Sequence, residues 1–273
     1  MEYADLHIHS SFSDGSLTPN EIIQLAIKKD IKYISITDHD SIEAYNNITD
    51  NLSNINIIPG VEISSRYYEQ EVHILGYYIN IKNELLNKVV NKLYSDRIER
   101  VKEIVNKLRY YDVNISVEEV VTSNKVSVGR GNIAEVMVNK GIVENHSEAF
   151  SKFLSRGKCA YVPGRKLQCK EAIRIIQEAG GIPVLAHPGK ICRDIIIEKM
   201  IREFKSFGIR GIEVYHPSHS RDKTNYFYNL SKKYKMLITG GSDFHGENKF
   251  KVDLGGVGIS KELTNKIINS KGE

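Results

Sequence analysis

The chain has 273 residues, 41% of them hydrophobic, and its 38 basic and 34 acidic residues leave a formal net charge of +4. This length is sufficient to bury one substantial core, and so small a charge argues against stable binding of long nucleic acids. The sequence shows no signal peptide and no apolar stretch long enough to span a bilayer. Its three cysteines, Cys159, Cys169 and Cys192, lack the spacing of a zinc site. We therefore expect a cytoplasmic protein with reduced thiols and no membrane partner.

The first part of the chain alternates short β-type segments with helix-type segments. We predict strands over residues 3–8, 33–37, 55–63 and 71–78. A helix is predicted from Thr18 to about Lys29, because Thr18 is suited to cap it, Pro19 to occupy its first position and Glu21 to complete a capping box. Such alternation is typical of a parallel sheet or barrel.

From about residue 83 to residue 157 the pattern changes. This stretch is long, charged and helix-periodic, and it contains no strong β run, so we interpret it as a helical insertion. The alternation then resumes, with strands predicted over 182–186, 211–215 and 236–239 and helices over 171–179, 194–207 and 223–234. The pattern indicates an α/β protein, and one barrel domain of about 250 residues with an insertion fits the length as well as two smaller domains would.

The positions of the histidines are the most informative feature of the sequence. Seven of the nine histidines stand at or just beyond the end of a predicted strand: His7, His9, His39, His73, His187, His216 and His245. Carboxylates accompany them at comparable places: Asp5, Asp14, Asp38, Asp40, Glu62 and Asp243. In a parallel α/β barrel all these strand ends open onto one face, where active sites are built. His146, in the helical insertion, is interpreted as an ordinary polar residue.

These side chains in this arrangement are typical of a metal centre. In a strand, residues i and i+2 point to the same side, so His7 and His9 can bind one ion together. Mixed imidazole and carboxylate ligands suit zinc, manganese or iron, and the absence of cysteine ligands argues against a closed structural zinc site. The ligands are too numerous for one ion. We therefore expect two or three divalent ions that share bridging carboxylates and bind a phosphoryl group.

Six short motifs resemble those of the polymerase-and-histidinol-phosphatase (PHP) superfamily. They are DLHIH at 5–9, TDHD at 37–40, GVE at 60–62, VHILG at 72–76, AHP at 186–188 and SDFH at 242–245. Each motif is weak alone, but together they extend over nearly the whole chain. The resemblance implies a distorted seven-stranded β/α barrel of the TIM type, formed by residues 1–82 and 158–273. Residues 83–157 would be a helical insertion that covers the substrate.

The resemblance also implies how the metal ligands are shared. One ion would be held by His7, His9, Glu62 and Asp243. A second would be held by Glu62, His73 and His187, with Glu62 bridging, and a third by Asp14, His39 and His245. Asp5, Asp38 and Asp40 would orient the imidazoles. The implied activity is hydrolysis of a phosphate ester by metal-activated hydroxide, with Asp243 among the catalytic residues.

Within the superfamily, the chain resembles the branch of nucleoside 3′,5′-bisphosphate phosphatases and of bacterial 5′-to-3′ exonucleases that act on short RNA. The supporting segments are GRGNIA at 129–134, FLSRGK at 153–158 and YVP at 161–163. The usual motif has Pro-His or a similar pair after the arginine, where this chain has Gly131 and Asn132. Arg130 offers a bidentate fork to a phosphate, and Lys158 offers a point charge. His219 is a candidate for phosphate contact or for protonation of the leaving oxygen.

The expected partner is therefore a small phosphorylated nucleotide or a short oligonucleotide, and three alternatives stay open. Histidinol-phosphate phosphatases share the metal motifs. Metal-dependent amide hydrolases also carry His-x-His on a first barrel strand, although the motifs at 37–40 and 242–245 fit them poorly. A metal-stabilised interaction module without turnover usually accompanies a much longer chain, so we favour an independent enzyme.

Overall fold

The computed structural model describes residues 3–49, 54–121, 128–191, 194–248 and 252–271. Two compact units are present, Met1–Lys88 with Lys166–Glu273, and Val89–Arg165. A functional division into a barrel and a covering subdomain stays a prediction. In the ranges above, no helix combines the length and hydropathy of a membrane span. Cys159 and Cys169 are free thiols, and Cys192 lies outside the described residues.

The strands and helices alternate in the first unit, and the described part of the second unit is helical. In chain order the elements are β1 (Ala4–Ile8), α1 (Pro19–Lys28), β2 (Tyr33–Ile36), β3 (Asn56–Ile57), β4 (Gly60–Tyr67), β5 (Gln70–Tyr77), α2 (Glu84–Arg109), α3 (Val117–Val120), α4 (Arg130–Asn139), α5 (His146–Ala149), β6 (Leu167–Gln168), α6 (Cys169–Glu178), β7 (Ile182–Leu185), α7 (Asp194–Phe207), β8 (Gly211–Tyr215), α8 (Arg221–Lys233), β9 (Leu237–Gly240) and α9 (Lys261–Asn269). The single strand predicted over 55–63 is divided at Pro59, which has no N–H to donate within a strand.

Helix α1 begins as its sequence predicts. Thr18 caps the helix, its backbone N–H donates to Glu21 Oε2 at 2.7 Å, and the Glu21 N–H donates to Thr18 Oγ1 at 3.3 Å. An N-cap of this kind contributes on the order of 1 kcal/mol. The helix then buries Ile22 and Ile23 in a cluster with apolar residues of β1 and β2.

The strands form two sheets. The order in the parallel three-stranded sheet is β1-β2-β3, and the order in the six-stranded sheet is β6-β4-β5-β7-β8-β9. In the larger sheet β5 runs antiparallel to both β4 and β7. Isolated bridges pair Ile8 with Phe244, which follows β9, and His39, which follows β2, with Glu62 of β4. The α/β class is confirmed, but the seven-stranded barrel is not, because the paired strands in the described ranges do not form one closed ring.

The antiparallel β4–β5 hairpin corrects one expectation. The sequence pattern places Glu62 and His73 at the ends of parallel strands, whereas both lie inside the hairpin, where Ser64 is paired with His73. Opposed residues share a face of a sheet, and every second residue of a strand returns to that face. Glu62, Ser64 and His73 therefore project from the same side.

Strand β1 connects the core with the polar site. All five of its residues are buried, and its apolar residues Ala4, Leu6 and Ile8 belong to hydrophobic clusters. The side chains of His7 and His9 project to the opposite face because side chains alternate along a strand. Since both imidazoles are fully buried, they require polar or ionic partners there.

The second unit has a core of its own. Ile104, Val105 and Leu108 of α2 are buried in one cluster with Ile133 and Met137 of α4. These residues recur three or four positions apart, which is the spacing of one helix face. The periodicity read from the sequence thus corresponds to a packed helical unit.

Candidate metal centre

Glu62 of β4 lies at the centre of a cluster of histidines. Its Oε1 lies 2.8 Å from His73 Nδ1 and 2.8 Å from His187 Nε2. Its Oε2 lies 2.9 Å from His39 Nδ1 and 3.3 Å from the Nε2 atoms of both His7 and His9. Burial raises the pKa of Glu62, but the surrounding imidazoles, His39 first, hold it well below its usual range. The carboxylate is therefore an anion shared by five imidazoles.

Asp243 provides a second carboxylate, just after β9. Its Oδ1 lies 3.3 Å from His9 Nε2, and its Oδ2 lies 3.3 Å from His216 Nε2. The backbone φ of Asp243 is 53°, a conformation that is uncommon outside glycine and often marks functional sites. Its carbonyl oxygen accepts a hydrogen bond from His245 Nδ1 at 2.7 Å, so this turn positions two of the predicted ligands.

Asp14 belongs to a third group, in the loop after β1. Its Oδ1 lies 3.1 Å from His245 Nε2 and 3.6 Å from His9 Nδ1, and its Oδ2 lies 3.9 Å from His39 Nε2. Half of the Asp14 side chain is exposed, whereas His9 and His245 are buried. Although burial raises the pKa of Asp14, His39 and His245 lower it below its usual range, which keeps the carboxylate ionised.

The structure brings together the side chains that the sequence predicts as ligands. In the described part of the chain, five groups have donor atoms within 4.8 Å of one another: His9–Asp14–His39–His245, His7–His9–Asp243, His7–Glu213–His216, His7–Glu62–His187 and His39–Glu62–His73. All nine predicted ligands occur in these groups. Two further members, Glu213 and His216, were not predicted as ligands.

The donor set fits divalent cations. Within the described residues, Glu62 Oε2 and His39 Nδ1 are buried without a hydrogen-bond partner, although they lie 2.9 Å apart. A buried carboxylate oxygen without a donor is costly, and a cation between these two atoms would satisfy both. Imidazole nitrogens and carboxylate oxygens are also the ligands that zinc, manganese and iron accept.

Asp5 and Asp38, predicted to orient imidazoles, mainly hold the loops that carry the ligands. Asp38 Oδ1 accepts the backbone N–H of Ser10 at 2.7 Å and the hydroxyl of Ser13, which itself lies 3.4 Å from His9 Nδ1. Asp5 accepts the backbone N–H of Ser242 at 2.9 Å. Burial raises the pKa of Asp5 to about 6, against the effect of these hydrogen bonds. Among the described residues, Asp38 thus reaches an imidazole through Ser13 and not directly.

Glu213 of β8 is a site residue that the sequence analysis missed. Its Oε1 lies 2.8 Å from His7 Nδ1, and its Oε2 accepts the backbone N–H of His187 at 2.6 Å. Burial raises its pKa, but His7 and His216 lower it to about 2. With Nδ1 engaged in this way, His7 directs Nε2 toward Glu62. The sequence feature that could have revealed it is a single glutamate within the otherwise apolar strand predicted over 211–215.

Lys190 is a second missed residue. It ends the short 3-10 helix Pro188–Lys190 that follows β7, and its Nζ lies 2.8 Å from Asp243 Oδ2. The lysine side chain is 41% exposed. It therefore places a positive charge at the solvent edge of the carboxylate and histidine cluster.

The predicted proton donor, His219, is held by backbone groups. Its Nδ1 donates to the carbonyl of Val214 at 2.8 Å, and its Nε2 accepts the N–H of Gly189 at 3.0 Å. A Cβ atom at residue 189 would collide with this ring, so the close approach requires glycine. Burial lowers the pKa of His219. A role as an acid requires one of these hydrogen bonds to break, and it stays a prediction.

Arg130 and Lys158, the predicted phosphate contacts, both lie in the second unit. The Arg130 guanidinium donates to the carbonyl of Leu154 at 3.0 Å and lies 5.5 Å from the ring centres of Phe150 and Tyr161. Lys158 is exposed in a loop. Their roles toward a substrate stay predictions.

Comparisons with known proteins identify the family of the chain. The PHP domain family matches residues 5–119. The chain is 30% identical over 247 residues to the 5′-3′ exoribonuclease Rnm of Escherichia coli, a match that covers 88% of this chain and 84% of the relative. It is also 30% identical over 260 residues to the 3′,5′-nucleoside bisphosphate phosphatase of Chromobacterium violaceum, with coverage of 93% and 91%.

Two solved structures have nearly the same fold. One, described as a metal-dependent phosphoesterase of Bifidobacterium adolescentis, has a TM-score of 0.85 and 27% identity and covers 98% of this chain and 96% of its own. The other is an amidohydrolase of Chromobacterium violaceum with bound sulfate and no metal, which has a TM-score of 0.85, 28% identity and the same coverage. The chain therefore belongs to the PHP family of metal-dependent phosphoesterases and is a hydrolase of phosphate esters.

Proposed function

We propose that this hydrolase releases the 3′-phosphate of a nucleoside 3′,5′-bisphosphate or cleaves a short 5′-phosphorylated oligoribonucleotide. The proposal depends above all on Glu62, a buried carboxylate with five imidazoles within 3.3 Å and one oxygen that no hydrogen bond satisfies in the described residues. The relatives named for these two activities are each 30% identical to the chain. Both activities act on the phosphate of a nucleotide.

The proposed metal ligands are His7, His9, Asp14, His39, Glu62, His73, His187, Asp243 and His245. Between them they would hold two or three ions of manganese, iron or zinc, with Glu62 shared. Bound divalent ions lower the pKa of coordinated water and offset the negative charge of the phosphoryl group. Glu213 would maintain the tautomer of His7, and Lys190 would add a positive charge beside Asp243.

In the reaction, the oxygen of water forms a bond to phosphorus while the bond from phosphorus to the ester oxygen breaks. The leaving oxygen then takes a proton. The attacking water loses one proton, and we assign its transfer to His219. Once the N–H of Gly189, 3.0 Å away, no longer donates to His219 Nε2, this nitrogen would accept the proton and pass it to the leaving oxygen. Arg130 and Lys158 would bind a second phosphate or the next phosphate of a strand.

Metal binding is expected to release protons at pH 7. Burial lowers the pKa of His73, but the carboxylates of Glu62 and Glu71 raise it to about 9. The metal-free imidazole is therefore protonated at pH 7 and has to lose its proton to bind an ion. The contribution of His73 to this release should disappear as the pH rises through 9.

Titration calorimetry in buffers of different ionisation enthalpy measures this release. His73→Gln should lower it by about one proton per protein at pH 7. An unchanged proton count in this variant would show that His73 is not among the ligands. His146→Gln, in the second unit, is the matched histidine control.

The substrate class is tested by phosphate release with added Mn²⁺. The panel consists of adenosine 3′,5′-bisphosphate, AMP, histidinol phosphate and a short 5′-phosphorylated RNA. We expect turnover of the bisphosphate, the RNA or both, and little turnover of AMP. Turnover of histidinol phosphate alone would favour the histidinol-phosphatase alternative. Bound metal with no turnover of any compound would instead favour the interaction module.

Arg130→Ala should weaken the use of the bisphosphate. A hydrogen bond to a charged group contributes about 1.5–3 kcal/mol, so KM should rise on the order of ten- to a hundredfold. Because Arg130 also contacts Phe150 and Tyr161, the thermal midpoint is measured in parallel. Arg109→Ala, at an exposed arginine of the same unit, is the control. An unchanged KM in Arg130→Ala would remove this residue from the substrate site.

A further inference from the structure

The tip of the β4–β5 hairpin carries an aromatic residue in an unusual conformation. Tyr67 is paired with Gln70, so the hairpin loop consists of Tyr68 and Glu69 alone. Tyr68 has a φ of 51°, at a position where two-residue hairpin loops favour glycine or asparagine. Its side chain is also 71% exposed. A bulky aromatic residue in this conformation is uncommon and, where it occurs, often serves a function.

Beside this loop is a cavity of about 530 Å³ with aromatic walls. Tyr67, Tyr68 and Phe207 line it, and the rings of the two tyrosines lie edge to face with their centres 4.7 Å apart. The thiol of Cys169 also borders the cavity, but burial raises its pKa to about 11. The cavity thus offers flat apolar surfaces and no activated nucleophile, which favours binding over chemistry.

Four charged residues line the cavity, the cations Arg66 and Lys170 and the carboxylates Glu69 and Glu203. Arg66 and Lys170 lie at its edge, and within the described residues neither forms an ion pair. Arg66 Nε donates to the amide oxygen of Gln168 at 2.9 Å in the amide orientation that satisfies both groups. The nearby carboxylate of Glu203 already accepts the hydroxyl of Tyr67 at 2.5 Å. A ligand with a planar ring and a negative charge can therefore pack its ring against the aromatic side chains and place its charge beside the two cations.

We propose that this cavity binds a nucleotide of the substrate RNA strand, with the base against Tyr68 and a phosphate at Arg66 and Lys170. The assignment of the bound nucleotide to an RNA strand rests on the proposed function. Tyr68, in the loop directly after β4, stands six residues after Glu62, which is roughly 20 Å at 3.4 Å per residue. A stacked single strand advances about 3.4 Å per nucleotide, so the cavity would take about the sixth nucleotide, or an earlier one if the strand is extended.

Tyrosine-to-tryptophan variants test the cavity directly, because the chain contains no tryptophan. Tyr68→Trp keeps an aromatic ring and introduces a single tryptophan, whose fluorescence is excited selectively and is quenched by a stacked base. The variant is titrated with a 5′-phosphorylated hexa-adenylate and with AMP, in EDTA so that no hydrolysis occurs. Tyr110→Trp, at a tyrosine that is 86% exposed in the other unit, is the matched control.

We expect saturable quenching of Tyr68→Trp by the hexa-adenylate, at least tenfold weaker binding of AMP, and no saturable quenching of Tyr110→Trp. Adding Arg66→Ala should weaken hexa-adenylate binding on the order of tenfold. No saturable quenching of Tyr68→Trp, or equal quenching of the control, would refute the site. If AMP bound as tightly as the hexa-adenylate, the cavity would be a site for a single nucleotide, and its assignment to an RNA strand would be refuted. Because binding is read without turnover, failure of the proposed activity would not be mistaken for failure of this site.

Discussion

Glu62→Gln should leave a folded protein that has lost most of its bound metal and activity. The substitution keeps the size of the side chain but removes the negative charge that five imidazoles share within 3.3 Å. Partners that only orient a metal ligand are worth about ten- to a hundredfold in affinity or activity. Loss of a direct, shared ligand should therefore lower kcat/KM by more than about a hundredfold.

The experiment compares metal content, by elemental analysis after dialysis, with phosphate release at saturating Mn²⁺. Glu171→Gln, at an exposed glutamate of α6, controls for the change of charge. We expect the control to resemble the unmodified protein in both measurements. Full metal content and full activity in Glu62→Gln would contradict the proposal that Glu62 is the shared ligand.

Local sequence patterns were sufficient to predict much of the fold. Helix α1 begins at the capping box that Thr18 and Glu21 predict, because these contacts involve residues three positions apart. The strand β8 was predicted with the bounds that it has, Gly211–Tyr215. Segments of this kind depend on their own residues, and so they are readable before the tertiary structure is known.

Strand direction was not readable in this way. Whether β5 runs parallel or antiparallel to β4 and β7 depends on contacts with residues far away in the chain. The expectation of parallel strand ends therefore misplaced Glu62 and His73 within their strands. Glu62 and His73 could still be recognised as site residues, because the sequence motifs that contain them do not depend on strand direction.

The missed residues share a physical explanation. Glu213 lies inside an apolar strand, and nothing in the adjacent sequence reveals that His7, more than two hundred residues away, supplies its partner. Lys190 is one of many lysines, and only its distance of 2.8 Å to Asp243 distinguishes it. A contact between distant segments of the chain produces no pattern in the local sequence. Histidines that recur at the ends of predicted strands do produce such a pattern.

Glu213→Gln tests whether this carboxylate positions the metal ligands. In the parent, Glu213 Oε2 accepts the N–H of His187 at 2.6 Å. In the variant, the amide oxygen can still accept from His7 Nδ1, but the amide nitrogen is a donor and faces the N–H of His187 without accepting it. Since His187 has a strained backbone with a φ of 25°, loss of this acceptor should displace its ring. We expect Mn²⁺ affinity to fall about ten- to a hundredfold, as for other residues that orient ligands.

Titration calorimetry and the Mn²⁺-induced rise of the thermal midpoint measure this loss independently of turnover. The pH dependence adds a second test. The pKa of Glu213 is lowered from 4.5 to about 2, so its carboxylate stabilises the fold fully above pH 4.5 and loses that contribution as the pH falls toward 2. The stability difference between the metal-free parent and Glu213→Gln should therefore narrow below pH 4.5. Unchanged Mn²⁺ affinity together with lost activity would mean that Glu213 acts on the substrate and not on His7 and His187.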